Sequence, residues 1–170
     1  TAILEHYPKQ SLDVLMNLID SHDTIRAISG LSGIKEPCSK KGRADFILSD
    51  EQYELAKRRL KLASALQYTL PGVPCVFYGD EAGKQGFEDP LNRGTYPWGR
   101  EDADLIAHYT KLGEIRKQYP QFLQGETHFV SDSDKLVFER VCTDGVLRVE
   151  TQGLWLSISV NGKVVMTINK

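Results

Sequence analysis

The stretch Asn17-Leu18-Ile19-Asp20-Ser21-His22-Asp23-Thr24 changes from apolar to acidic within a few residues. It closes a nearly continuous apolar run that begins at Asp13. A run of this kind, without polar alternation, is typical of a strand that is buried on both faces, as in a parallel sheet. The sequence therefore predicts a strand over residues 13–19 that ends in the polar cluster of residues 20–24.

A second segment repeats this pattern further along the chain. Val73 to Tyr78 is apolar and ends in Gly79-Asp80-Glu81. Between the two strands, the capping-box pattern in Ser49-Asp50-Glu51-Gln52 predicts a helix that runs to about Thr69. The order strand, helix, strand predicts an α/β fold, in which ligand-contacting side chains lie at the carboxyl ends of the strands. The alternative is that residues 21–24 form only a solvent-exposed turn, since Ser, Asp and Thr are common in turns.

The rest of the chain divides into a loop, a helix and an all-β segment. Residues 82–101 are predicted to form a long ordered loop, and residues 30–48 a further loop. Asp102 is the predicted cap of a helix that ends at Pro120. Five strand-like segments follow, and Asn161-Gly162 is the strongest turn signal between them. Their predicted bounds are Thr127–Val130, Leu136–Val141, Val146–Thr151, Leu154–Val160 and Val164–Ile168.

Bulk composition excludes several classes of function. The 170-residue chain has a net charge of −2, with 21 basic and 23 acidic residues spread along it. Binding to nucleic acid or to an anionic membrane requires a concentrated basic face, so neither partner is expected. No apolar run approaches the ~18 residues of a membrane span. The three cysteines, Cys38, Cys75 and Cys142, do not form the pattern of a disulfide framework or a zinc site.

The amino terminus and the cysteines favour an intracellular piece of a longer protein. The first residues lack the charged start and apolar stretch of a secretion signal, and there is no initiator Met. Widely spaced cysteines in an odd number are typical of a reducing compartment. We therefore expect a cytoplasmic chain that was cut from something longer. We also expect the chain to use no metal and no cofactor.

Three motifs resemble segments of the α-amylase family, glycoside hydrolase family 13, in the family's own order. Residues 17–24 resemble the end of its seventh barrel strand, particularly as found in neopullulanases, cyclomaltodextrinases and maltogenic amylases. Leu70-Pro71-Gly72-Val73-Pro74, together with residues 76–81, resembles the eighth strand. Asp89-Pro90-Leu91-Asn92-Arg93, which leads to Pro97-Trp98, resembles the loop after that strand.

The resemblance implies a fold and a domain organisation. It makes residues 1–121 the C-terminal portion of a TIM (β/α)8 barrel, with the last two strands and their helices. Residues 122–170 would form a small antiparallel, β-sandwich-like domain that is short at its C-terminal end. A complete barrel needs about 250 residues and eight strands. The expected protein partner is therefore the remainder of the barrel or a second copy of the chain.

The resemblance also implies roles for four side chains. Asp23 matches the family's third catalytic carboxylate, which favours the distorted transition state, and His22 matches a histidine that binds the sugar at the cleavage subsite. Asp89 and Arg93 match residues that hold donor-side glucose units. A carboxylate and a guanidinium can hold vicinal hydroxyls through paired, charge-assisted hydrogen bonds, which agrees with these roles.

Neighbouring residues are given other roles. Asp80 and Glu81 are predicted to orient the end of the second strand rather than to act on substrate. Arg26 is expected to pair with a nearby carboxylate and is assigned no catalytic part. For Tyr96 and Trp98, stacking on sugar faces and packing beneath the loop are both open.

The catalytic machinery implied by the resemblance is incomplete. Retaining glycosidases need a nucleophile and an acid/base carboxyl about 5 Å apart, and in this family they belong to the fourth and fifth strands. Arg43-Ala44-Asp45-Phe46 imitates the nucleophile segment, but no apolar strand precedes it, so we interpret it as a coincidence within a loop. The chain also departs from the family at Gly94-Thr95-Tyr96, where many members have Arg-Pro-Met, and over residues 142–170.

The implied activity of the parent is retaining hydrolysis or transfer at the α-glucosidic bonds of maltooligosaccharides, cyclodextrins, starch or pullulan. The chain itself is expected to be inactive, because it carries the third carboxylate and donor-side residues without the nucleophile or the acid/base. Two alternatives remain. One is a non-catalytic module that binds sugar, and the other is a barrel relative that serves as a protein partner, as in the heavy chains of some amino-acid transporters.

Overall fold

A computed structural model describes residues 5–35, 37, 39–130 and 134–169. Cys38 and residues 131–133, which lie between the first two predicted strands of the all-β segment, are outside the described residues. The helices are α1 (Lys9–Leu12), α2 (Ala27–Leu31), α3 (Lys40–Ala44), α4 (Asp50–Thr69), α5 (Ala103–Gln118) and α6 (Gln121–Gln124), with a 3-10 turn at Leu91–Arg93. The strands are β1 (Met16–Leu18), β2 (Val73–Cys75), β3 (Glu126–Val130), β4 (Leu136–Cys142), β5 (Gly145–Gln152), β6 (Trp155–Val160) and β7 (Lys163–Ile168).

The chain forms two compact units. The first comprises residues 1–17, 65–74 and 111–170, and the second comprises residues 18–64 and 75–110. These units follow contacts in space and therefore differ from the domain boundary predicted after residue 121, which stays a prediction.

In the first unit, strands β3 to β7 form an antiparallel meander in chain order. The β6–β7 hairpin turns at Asn161-Gly162, where φ is 51° at Asn161 and 78° at Gly162. Two successive positive φ angles are the mark of the type I′ turn, whose twist matches that of the flanking strands. All five predicted strands are confirmed, and strands β5 to β7, which lie within residues 145–168, complete the meander.

One face of this sheet forms the core of the first unit. Phe138 and Val149 are paired across β4 and β5 and are fully buried. Arg140 is buried on the same face, where its guanidinium donates to Gly125 O and to Thr69 O at 3.1 Å each. Thr69 is the last residue of α4, and carbonyls at a helix end have no partner within the helix. Arg140 supplies that partner.

The two apolar strands, β1 and β2, pair with each other in a separate two-stranded sheet. Each is three residues long, shorter than the apolar runs at 13–19 and 73–78. The prediction that both faces of these strands are buried is wrong for this chain, since Val14 and Met16 are 70% and 66% exposed. Strand pairing joins backbone groups but covers neither face of a sheet, so pairing of β1 with β2 does not bury these side chains.

Helices α4 and α5 begin at the predicted caps. Ser49 N–H donates to Gln52 Oε1 at 2.9 Å, and Gln52 N–H donates to Ser49 Oγ at 3.4 Å. This reciprocal pair is the capping box predicted from the sequence. At α5, the Asp102 carboxylate accepts from the N–H groups of Asp104 and Leu105 at 3.0 Å each.

The loop predicted over residues 30–48 is partly wrong, because α2 ends within it and α3 lies inside it. Each of these helices is five residues long, which is too short to produce an apolar periodicity.

Among the described residues, no helix combines the length and the apolar character that a membrane crossing requires.

Candidate functional site

The turn that follows β1 carries two of the predicted site residues, His22 and Asp23. Short polar side chains fold this turn: Ser21 N–H donates to Thr24 Oγ1 at 2.9 Å, and Asp23 N–H donates to Ser21 Oγ at 3.2 Å. The His22 and Asp23 side chains are 64% and 71% exposed, and His22 Nε2 lies 3.2 Å from Asp23 Oδ2. The turn therefore presents an imidazole and a carboxylate side by side to solvent.

The loop around the 3-10 turn at Leu91–Arg93 brings the other two predicted residues to the same place. Arg93 Nε lies 2.8 Å from Asp89 Oδ1 and donates to His22 O at 3.2 Å. Arg93 Nη2 lies 3.7 Å from Asp23 Oδ1. The guanidinium thus lies between two carboxylates, and all four predicted residues belong to one exposed cluster.

Asn92 connects the turn to the loop. Its side chain is fully buried, and Nδ2 donates to His22 O at 2.8 Å and to Thr24 O at 2.7 Å. These two hydrogen bonds fix the backbone of the turn next to Arg93. Sequence reasoning missed Asn92 because its contact with His22 joins positions 70 residues apart, and no local pattern marks such a contact.

Arg26 is a fully buried cation next to this cluster. Its Nε donates to Asn92 O at 2.6 Å, and its Nη1 donates to Tyr78 O at 2.6 Å. The guanidinium carbon lies 4.0 Å from the centroid of the Phe77 ring and 4.6 Å from that of the Tyr78 ring. Nη1 also lies 3.5 Å from Asp80 Oδ1, which confirms the predicted pairing of Arg26 with a nearby carboxylate.

Asp80 and Asp20 are both buried beside Arg26, and Asp20 Oδ2 accepts from Ala27 N–H at 2.8 Å. Burial raises the pKa of Asp80 well above its usual range, and the hydrogen bond and negative charge of Asp20 raise it further, while Arg26 opposes the change. The raised pKa keeps the Asp80 carboxyl protonated near neutral pH. This buried position suits the structural role predicted for Asp80.

Glu81, Tyr96 and Trp98 lie on the loop after β2. The Glu81 carboxylate accepts the N–H of Gly79 at 2.9 Å, which fixes the backbone just beyond the strand. The rings of Tyr96 and Trp98 contact each other with centroids 4.5 Å apart. Trp98 is 80% exposed, so it does not pack beneath the loop.

The nucleophile-like segment Arg43 to Phe46 lies at the end of helix α3 rather than at the end of a strand. Arg43 Nη1 is 3.8 Å from Glu88 Oε2. This placement agrees with the interpretation of the segment as a coincidence.

Within the described ranges, no group of three or more His, Cys, Asp or Glu side chains is arranged to hold a metal ion.

Comparison with known proteins finds relatives but no matching family model. The chain is 37% identical over 147 residues to an amylopullulanase of Thermoanaerobacter thermohydrosulfuricus, which covers 85% of this chain and 9% of that protein. It is 32% identical over 130 residues to a cyclomaltodextrinase of a Bacillus species, which covers 75% of this chain and 19% of that protein.

Solved structures extend this similarity to the fold. The chain matches a cyclic α-maltosyl-(1→6)-maltose hydrolase of Arthrobacter globiformis, in complex with that sugar, with a TM-score of 0.69 and 25% identity. The match covers 89% of this chain and 30% of the hydrolase. The chain thus spans less than a third of each of these three proteins.

Proposed function

Because this chain belongs to the α-amylase family of glycoside hydrolases, we propose that it supplies one part of an α-glucan site. Asp23 is the carboxylate that stabilises the transition state, and His22 hydrogen-bonds the sugar at the cleavage subsite. Asp89 and Arg93 hold the hydroxyls of a donor-side glucose. The substrates are maltooligosaccharides, cyclodextrins, starch or pullulan, and no residue of this chain is assigned as nucleophile or acid/base.

The position of Arg93 is the observation that carries this proposal. Its guanidinium lies 2.8 Å from Asp89 and 3.7 Å from Asp23, with all three side chains exposed. The guanidinium offers N–H donors, and the carboxylates on either side offer acceptors. Two vicinal hydroxyls of a sugar can bind to such a set, and the charges strengthen each hydrogen bond. Positive charge develops on the sugar ring in the transition state, so the Asp23 carboxylate stabilises that state more than the neutral ground state.

The same proposal covers the architecture. Residues 1–121 form the last two strands and helices of a (β/α)8 barrel, and residues 122–170 form the β domain that follows it. The order β1, α4, β2, α5 and the separate antiparallel sheet support this assignment. The exposed apolar side chains of β1 are those that a complete barrel wall buries.

A second candidate function is a non-catalytic module that binds a protein. It is favoured by the exposed apolar side chains of Val14, Leu15, Met16 and Val73. Contiguous apolar patches on a soluble surface usually mark contact sites. The two functions differ in the ligand: the first requires sugar binding at Arg93, and the second does not.

Titration of the purified chain with maltotriose, followed by calorimetry, tests the sugar site. We expect saturable binding, weakened roughly tenfold by Asp89→Ala or Arg93→Ala, because each substitution removes a charge-assisted hydrogen bond. Glu51→Ala, which removes an exposed carboxylate on α4, is the matched control and should bind as the unmodified chain does. Absence of binding by the unmodified chain would refute the proposal.

The same preparation should not hydrolyse a chromogenic maltoside. Without a nucleophile and an acid/base pair, nearly all of the rate enhancement of a glycosidase is lost. Turnover that disappears in Asp45→Asn would show that the segment Arg43 to Phe46 is a nucleophile segment after all.

A further inference from the structure

The Lys84 side chain lies against two glycines, Gly79 and Gly94, and its ammonium is next to Gly94. Its backbone N–H donates to Gly79 O at 2.9 Å, which turns the chain back over the end of β2. A Cβ placed on Gly79 would lie 3.0 Å from Lys84 Cδ, and a Cβ placed on Gly94 would lie 2.8 Å from Lys84 Nζ. The ammonium therefore occupies the space in which a side chain at position 94 would begin.

Backbone conformation does not explain the glycine at position 94. Gly94 has φ −60° and ψ 162°, which any residue adopts. The Lys84 ammonium lies close to where a side chain at position 94 would begin, so the glycine leaves room for this position of the lysine.

The Lys84 side chain is half-buried, and its ammonium has no acceptor among the residues that the structure describes. Burial lowers the pKa of Lys84, and the positive charge of Arg26 lowers it further. Partial burial removes some of the water around the ammonium, and no acceptor among the described residues offsets that loss. A hydrogen-bond acceptor from a ligand would compensate this loss.

The ammonium lies at the Arg93 end of the site. It abuts Gly94, which follows Arg93 directly and whose carbonyl accepts the Tyr78 hydroxyl at 3.0 Å. The nearby exposed carboxylates of Asp23 and Asp89 disfavour an anionic ligand, whereas a polyhydroxylated neutral ligand can accept from Lys84 and donate to the carboxylates.

We propose that Lys84 is a substrate-binding residue whose ammonium donates to hydroxyl groups of an α-glucan beside Arg93. Gly94 has no side chain there and so leaves room for the ammonium. This inference rests on the proposed function, because it places a further contact in the same sugar site.

Maltotriose binding by Lys84→Met, compared with the unmodified chain, tests the contact. Methionine keeps the length of the apolar stem and removes the ammonium. We expect the dissociation constant to rise at least fivefold in Lys84→Met, with an unchanged or higher melting temperature, because the substitution removes a desolvated charge. Lys111→Met, at an exposed position of α5, is the control and should bind sugar normally.

A second measurement works on the unmodified chain and does not depend on a variant that folds. Acetylation of individual lysines by an amine-reactive reagent is followed by mass spectrometry with and without maltotriose. We expect the sugar to slow modification of Lys84 at least threefold and to leave Lys111 unaffected. Sugar binding that neither depends on Lys84 nor protects it would overturn this inference alone. No binding by the unmodified chain would overturn the proposed function, and the inference with it.

Discussion

Asn92 and Arg26 hold the exposed site residues through backbone carbonyls rather than through side chains. Asn92 binds the carbonyls of His22 and Thr24, and Arg26 binds that of Asn92. His22 and Asp23 could be proposed from the sequence, because they belong to a short motif, residues 17–24, that resembles a segment of the family. The supporting contacts could not, because they join positions more than 60 residues apart and leave no periodic signal.

Asn92→Asp tests this support at nearly constant volume. The substitution removes the two Nδ2 donors and turns a carboxylate oxygen toward two carbonyl oxygens. We expect the free energy of unfolding to fall by about 2–3 kcal/mol, and maltotriose binding to weaken in parallel.

Denaturant titration measures the change in stability. Gln124→Glu makes the same amide-to-carboxylate exchange at an exposed position of α6 and serves as the control. Equal stability of the two variants would mean that the Asn92 hydrogen bonds do not hold the turn.

At the scale of elements, local signals predicted helices and hairpins well. Helix α4 starts at its capping box because both partners of that contact are three residues apart. The Asn161-Gly162 turn is equally local. The predicted burial of β1 is wrong because burial depends on which elements pack against the faces of the strand. The residues of the strand itself do not specify those elements.

His108 joins α4 and α5 within the second unit through a buried hydrogen bond. Its Nε2 lies 2.8 Å from Ser64 Oγ. The Ser64 hydroxyl donates to Lys61 O at 3.1 Å, so its oxygen can accept from a neutral His108. Burial lowers the pKa of His108 to about 4, and Lys61 adds to this shift while Asp104 opposes it.

The contribution of His108 to stability should therefore depend on pH. The unfolded chain takes up a proton near pH 6.5 and the folded chain only near pH 4, so stability decreases as the pH falls between these values, by up to about 3 kcal/mol. Chemical denaturation at pH 7, 5.5 and 4 measures this slope. His108→Gln should have a smaller slope than the unmodified chain; parallel slopes would show that His108 titrates normally.

At the scale of the whole molecule, exposed apolar strand residues predict self-association. Val14, Leu15, Met16 and Val73 of the first unit are all exposed, although apolar edge strands invite pairing with another chain. We expect a concentration-dependent dimer, in which strands pair across a two-fold axis.

Light scattering over a hundredfold dilution measures the dimer. Met16→Lys should shift the equilibrium toward monomer, since it places a charge on the associating strand. Leu123→Lys, at an exposed position of α6, is the control and should dimerise as before. A sharp unfolding transition without concentration dependence would contradict self-association.

The carboxyl pair of Asp20 and Asp80 beside Arg26 makes folding a proton-consuming reaction. Asp80 is protonated in the folded chain near neutral pH and ionised in the unfolded chain, because burial and the neighbouring Asp20 raise its pKa only in the folded chain. At pH 7 the Asp80 carboxyl therefore takes up a proton from the buffer when the chain folds. The heat of unfolding then includes the ionisation heat of whichever buffer accepts that proton, and alkalinisation above neutrality favours the unfolded chain.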